Sequence, residues 1–167
     1  YAATKKSGEM MNYSYANLYK IPITNLRFFT VYGEYGRPDM AYFMFTEKIL
    51  KGEQIRLFNH GNLQRDFTYI SDIINGLIAV KDVAPEGEIP VATYNLGNNN
   101  PIDLKKFVEV LEENIGKKAN IEYLPMQKGD VYQTYADIDA SKKAFGYNPE
   151  TKIEVGLRNF VEWYKSF

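Results

Sequence analysis

Apolar positions along this chain recur at about 3.6 residues in some stretches and about 2 in others, the spacings of a helix face and a strand face. Residues 2–19 are rich in helix formers, with an imperfect stripe through Met10, Met11, Asn12, Tyr15 and Leu18. Pro22 stands just beyond, where a helix usually stops. Residues 23–33 alternate partly and favour β structure, which predicts a strand ending at Gly33. The stretch EYGRPDM, 34–40, has loop composition. A short helix is expected over 41–51, closed by Gly52. Residues 55–59 and 64–70 read as short strands about an HGN turn, and Ser71 is placed to cap a helix over 72–83. Residues 93–97 read as a strand. The clearest helix is 101–116: Asp103 caps it, Leu104, Phe107, Val108 and Leu111 form its apolar face, and Gly116 ends it. A strand over 121–125, a short helix over 139–147 and an amphipathic helix over 153–167 complete the series.

Helices alternate with about six short strands, so the fold class is α/β. Consecutive βαβ units do not stand out, and the chain opens without the strand and glycine-rich turn that usually begin such a fold. The faces of the first helix and first strand therefore need more sheet than the sequence supplies.

Composition narrows the classes. The length of 167 residues suits one domain, and 45% hydrophobic with 25% charged residues is ordinary for a soluble globular protein. A net charge of −1 gives no electrostatic case for nucleic acid or an anionic membrane. No apolar run is long enough to span a bilayer, and no signal-peptide pattern is present. With no cysteine, disulfides and thiolate chemistry are excluded, and a cytoplasmic location is expected. His60, the only histidine, sits in the HGN turn without neighbours at metal-ligand spacing, so no metal site is expected. The 14 Tyr and 10 Phe predict a ring-rich core, with a minority of rings left for a ligand groove.

One pair near the amino end carries candidate chemistry. Tyr1 and Lys5 stand at i and i+4, on one helix face and about 6 Å apart. An ammonium held near a phenol favours the phenolate, and a tyrosine tuned in that way can act as general base and acid near neutral pH. Alone, such a pair is equally a solvated helix start.

The pair does not stand alone. YAATK, RFFTVYGEYGRPDMA, GNLQRDFTYISD, YNLG and QKGDVYQTYADI, in that order, resemble the extended short-chain dehydrogenase/reductase family, in particular its NAD-dependent sugar-nucleotide epimerases and dehydratases. The resemblance covers essentially all 167 residues. It implies that the family's GxxGxxG phosphate turn, ribose-binding acid and catalytic Ser/Thr would lie before Tyr1. The expectation is a C-terminal, substrate-binding portion of a larger enzyme over 1–167, with 1–33 and about 93–116 as remnants of the Rossmann-type dinucleotide-binding domain. Such a chain by itself is expected to be inactive, to bind no NAD stably and to hold a UDP-sugar weakly.

The resemblance also assigns roles. Tyr1 would take the proton of the sugar 4-OH as hydride leaves C4 for NAD, Lys5 would hold the nicotinamide ribose, and Phe28 would pack near the nicotinamide. Thr30 and Arg37 would bind a C5 carboxylate, which points to conversion of UDP-glucuronate to UDP-galacturonate. Because the oxidised sugar acid is a β-keto acid prone to lose CO2, a rigid grip on its carboxylate would also protect it. Arg56 and Phe58 map to the uracil contacts, Arg65 to the diphosphate with Asp66 orienting it, and Asp130 to the uridine ribose. Gln127 stands where some relatives carry a second phosphate-binding arginine, which leaves the diphosphate leaning on Arg65. Phe28 and Phe58 serve equally well as core aromatics. The family implies a homodimer through the first helix, with Met10, Met11 and Tyr15 on the contacting face, and the exposed apolar surface predicts an oligomer of the chain itself. A neutral UDP-sugar epimerase, a dehydratase or decarboxylase, and a non-catalytic module remain open.

Overall fold

The computed structural model describes residues 1–166. The carboxy-terminal helix is described as far as Ser166, and the part of that expectation at Phe167 lies outside the described residues. Helix α1, Ala2–Tyr19, leads to strands β1, Ile23–Phe28, and β2, Thr30–Tyr32. Helix α2, Ala41–Lys51, β3, Gln54–Leu57, and a 3-10 turn, Phe58–Gly61, follow. Then come β4, Gln64–Tyr69, α3, Ile70–Val80, β5, Val91–Leu96, and β6, Pro101–Asp103. The last elements are α4, Leu104–Ile115, β7, Asn120–Tyr123, α5, Asp139–Phe145, and α6, Ile153–Lys165.

The α/β class holds, with the strands divided among three small sheets. β1 pairs with β5 in parallel, from Ile23 opposite Val91 to Phe28 opposite Leu96. β2 pairs in parallel with β4, whose other end pairs antiparallel with β6. β3 pairs in parallel with β7. The single strand expected over 23–33 is thus two strands in two sheets. The break falls at Phe29, whose N–H makes a last bond to the Leu96 carbonyl at 3.1 Å before the chain turns toward β4. Here the ring of Phe29 and the side chain of Ala136 approach Gly97 so closely that a Cβ at 97 would lie 3.1 Å from the ring and 2.3 Å from the Cβ of Ala136.

Other boundaries also move. Phe58 leaves the strand for the 3-10 turn, in which Asn59 and His60 have left-handed backbone at φ 50° and 53°. β4 runs directly into α3, so the cap position is Tyr69 and Ser71 is already helical. Pro101–Asp103 is a seventh short strand and not the first turn of α4. Asp103 does occupy the cap position of α4, but its side chain makes no capping bond; its carboxylate accepts from Gln64 Nε2 at 2.9 Å. The glycine stops hold: Gly52 and Gly116 both adopt left-handed backbone and return their N–H groups to helix carbonyls.

The main core lies where α2, α4 and α6 pack over β2, β3 and β4. Aromatic rings dominate it: Phe67 stacks on Phe107 with centroids 4.3 Å apart, and Tyr42 meets Phe160 edge-on at 4.8 Å. A second cluster of Ile73, Leu96, Ala136, Ile138 and Tyr147 joins α3 and α5 to β5. α1 takes little part. Of its residues only Ala16 is buried, and Met10, Met11, Tyr15 and Leu18, the expected apolar stripe, are exposed. Polar ties seat the helix on β1 instead: Asn12 Nδ2 donates to Asn25 Oδ1, and Arg27 forks Glu9.

Candidate active site

The start of α1 orients the Tyr–Lys pair. Tyr1 is the residue preceding the helix, its carbonyl accepts the Lys5 N–H at 3.1 Å, and the Lys5 ammonium lies 5.4 Å from the Tyr1 ring centroid. The Tyr1 side chain is 93% exposed, so its phenol is open to any ligand. The pair borders a cleft of about 400 Å³ whose other walls are Glu9 and Asn12 of α1 and residues 25–28 of β1, including Phe28. Arg27 donates from Nε and Nη2 to the two Glu9 oxygens at 2.6 and 2.7 Å, and Lys6 adds a bond of 2.8 Å. These bonds, Arg27 first, hold the Glu9 carboxyl down at about 2.

A second cleft, of about 280 Å³, opens two residues further along. Thr30 of β2 lines it, together with Arg56, Phe58, Arg65 and Asp130. Its floor is apolar, with Phe45 and Phe67 buried beneath it. Its two guanidiniums are already engaged: Arg56 Nε donates to Glu122 at 2.9 Å, and Arg65 Nη2 donates to Asp130 at 2.7 Å. Arg65 Nη1 also reaches the carbonyls of Gln64 and Tyr132, at 2.8 and 3.3 Å. An apolar, ring-lined floor with forked donors at the rim suits a flat ring joined to an anionic group. Because Phe28 lines one cleft and Thr30 the other, the two adjoin within roughly 7 Å along the chain.

Of the sequence-predicted residues, Tyr1, Lys5 and Phe28 share the first cleft, and Thr30, Arg56, Phe58, Arg65 and Asp130 share the second. Arg37 and Gln127 line neither. Arg37 donates to Asp39 from Nε, at 3.0 Å, and from Nη2. That carboxylate holds the Arg37 guanidinium above its usual range, with smaller contributions from the Tyr1 and Tyr42 phenols. Gln127 is exposed, and its carbonyl accepts the Asp130 N–H at 3.3 Å to close a turn at Gly129. Asp66 does not orient Arg65; Asp130 does, while Asp66 is buried among backbone N–H groups. Sequence reading missed Glu9 and Asn12, although 1, 5, 9 and 12 follow helical spacing along one face. Arg27 and Asn25 carried no local signal. Among the described residues no group of three metal-ligating side chains occurs, and no helix is long and apolar enough to cross a membrane.

A tyrosine and a lysine one turn apart, on a helix seated on parallel strands, are the arrangement that the resemblance to the short-chain dehydrogenase/reductase class implies. Residues 1–97 match the NAD dependent epimerase/dehydratase family, and the chain belongs to that family. It is 44% identical to UDP-glucuronate 4-epimerase 4 of Arabidopsis thaliana, over 100% of this chain and 41% of that protein. It superposes with a TM-score of 0.89 on UDP-glucuronic acid 4-epimerase of Bacillus cereus in complex with UDP-glucuronic acid and NAD, at 33% identity over 98% of this chain and 52% of that one. The UDP-glucose 4-epimerase of Thermotoga maritima, with UDP-glucose, gives 0.89 at 28% identity, over 99% of this chain and 53% of that one. The chain thus spans about half the length of these relatives.

Proposed function

We propose that the intact protein inverts C4 of UDP-glucuronate to give UDP-galacturonate, with Tyr1 as the proton-transferring group. The observation that carries this reading is the junction of the two clefts: the Tyr1–Lys5 pair faces one, the Arg65–Asp130 rim frames the other, and residues 28–30 join them. The first cleft offers an ammonium, a phenol and an apolar ring, a donor set that fits the nicotinamide riboside end of NAD. Bound there, NAD supplies the hydride chemistry. Lys5 holds the ribose, and Tyr1 takes the sugar 4-OH proton and later returns it. In the second cleft Arg65 grips the diphosphate, and Arg56 and Phe58 face the uracil. On this reading α1, β1 and β5 form the cofactor side, and the chain without the remainder of its relatives' length is inactive.

Product analysis of the intact protein supplied with UDP-glucuronate tests this. Epimerisation is expected, and Tyr1→Phe should lower its rate about 10²- to 10⁴-fold, the usual contribution of general acid–base catalysis. A protein that epimerises UDP-glucose and leaves UDP-glucuronate untouched would refute the acid-sugar assignment. One observation favours that second reading: Arg37 lines neither cleft and is occupied by Asp39.

A further inference from the structure

Two adjacent residues of β4 grip the segment 130–136, and they do so from opposite sides of the strand. Arg65 reaches outward to Asp130 and to the Tyr132 carbonyl. Asp66 points inward and is fully buried. Its Oδ1 accepts the Asn98 N–H at 2.6 Å, its Oδ2 accepts the Ala136 N–H at 2.9 Å, and its own N–H donates to Thr134 Oγ1 at 2.9 Å. Gln64 completes the seam, donating to the Tyr132 carbonyl at 3.0 Å and accepting the Thr134 N–H at 3.2 Å.

Both Asp66 oxygens face N–H donors, a demand that a carboxylate meets and an amide can meet only once. Desolvating a carboxylate is unfavourable unless such bonds replace water. Two of these bonds, to Thr134 and Ala136, hold the stretch that delivers Asp130 to Arg65, and the third ties Asp66 to Asn98 just after β5. Asp130 lies two residues beyond the last backbone tie to β4, at Tyr132, so its place at the cleft rim follows from where that seam is pinned. We propose that Asp66 is a positioning residue for nucleotide binding: it fixes residues 134–136 and thereby sets the Arg65–Asp130 pair that a diphosphate must meet. The inference rests on the reading of the second cleft as the UDP site.

The experiment measures UDP binding to the intact protein by isothermal titration for wild type, Asp66→Asn and Thr134→Val, alongside amide exchange by mass spectrometry and steady-state kinetics with UDP-glucuronate. Asp66→Asn should raise the UDP dissociation constant about tenfold and Thr134→Val about threefold, in keeping with the loss of one buried hydrogen bond each. Exchange should accelerate within 130–136, and KM should rise with the dissociation constant by more than kcat falls. Should Asp66→Asn fail to fold, Thr134→Val decides, since it removes one hydroxyl acceptor and keeps the side-chain shape. UDP affinity and exchange unchanged in the folded variants, or a fall in kcat with KM unmoved, overturns the inference and leaves the cleft reading standing. A wild-type protein that binds no UDP overturns both.

Discussion

Tyr32→Phe should leave the protein as stable as before or more so, although the change removes a polar atom from the centre of the core. Tyr32 is 1% exposed, and its hydroxyl has no hydrogen-bond partner among the described residues. The rings of Tyr69, Tyr42 and Phe67 surround it at centroid distances of 5.5, 6.2 and 6.2 Å. The hydroxyl abuts the backbone of α6, where a Cβ on Gly156 would come within 2.2 Å of it. A buried hydroxyl without a partner costs about 1–3 kcal/mol, and removing it recovers part of that. Tyr147 is the control. It is 3% exposed, but its hydroxyl donates to the Gly97 carbonyl at 3.1 Å. Tyr147→Phe loses that bond and strands the carbonyl, for a loss of about 1 kcal/mol. The two variants should therefore differ by about 2 kcal/mol in unfolding free energy, read from denaturant midpoints at constant slope. Burial pushes both phenols above the ordinary tyrosine range. Stability that depends on a raised pKa is complete below the unfolded value near 10 and is lost as pH climbs past it. Tyr32→Phe should accordingly flatten the alkaline limb of the stability profile. Equal destabilisation by the two substitutions would refute the argument and place a partner on the Tyr32 hydroxyl.

Other expectations follow from the same contacts. The Arg27 fork holds Glu9 at about 2, so its contribution is present above the ordinary carboxylate range and is lost as pH falls toward 2. Glu9→Gln should remove that acid-side dependence, and denaturation midpoints between those pH values that fall as steeply as in wild type would show it wrong. Gly97→Ala forces a Cβ to 2.3 Å from Ala136, and overpacking of this kind costs about 1–3 kcal/mol; an unchanged denaturant midpoint would contradict the close approach. In the intact protein Arg37→Ala should slow epimerisation of UDP-glucuronate and release UDP-pentose if the arginine guards the sugar carboxylate. Unchanged product yield without CO2 loss would refute the carboxylate role that the resemblance implies and leave Arg37 as the Asp39-paired residue outside both clefts.

Much of the architecture was legible because its causes are local. α1, α2, α4 and α6 follow from periods of apolar residues, and α2 and α4 also from Gly52 and Gly116, whose left-handed backbone ends each helix. The Tyr1–Lys5 pair was legible for the same reason, since an interval of four residues on a helix fixes proximity without reference to anything else. Tertiary structure decided what depends on distant partners. The strand at 23–33 divides at Phe29 because one half finds β5 and the other β4, and strand pairing is invisible to a short window of sequence. Arg65 meets Asp130, Arg56 meets Glu122 and Asp66 meets Ala136 at sequence separations of 65 or more, so no spacing rule could assign them. The apolar stripe of α1 was legible as a pattern, and its exposure agrees with the shortage of sheet to cover it; what lies against that face depends on another surface, which residue order alone does not specify.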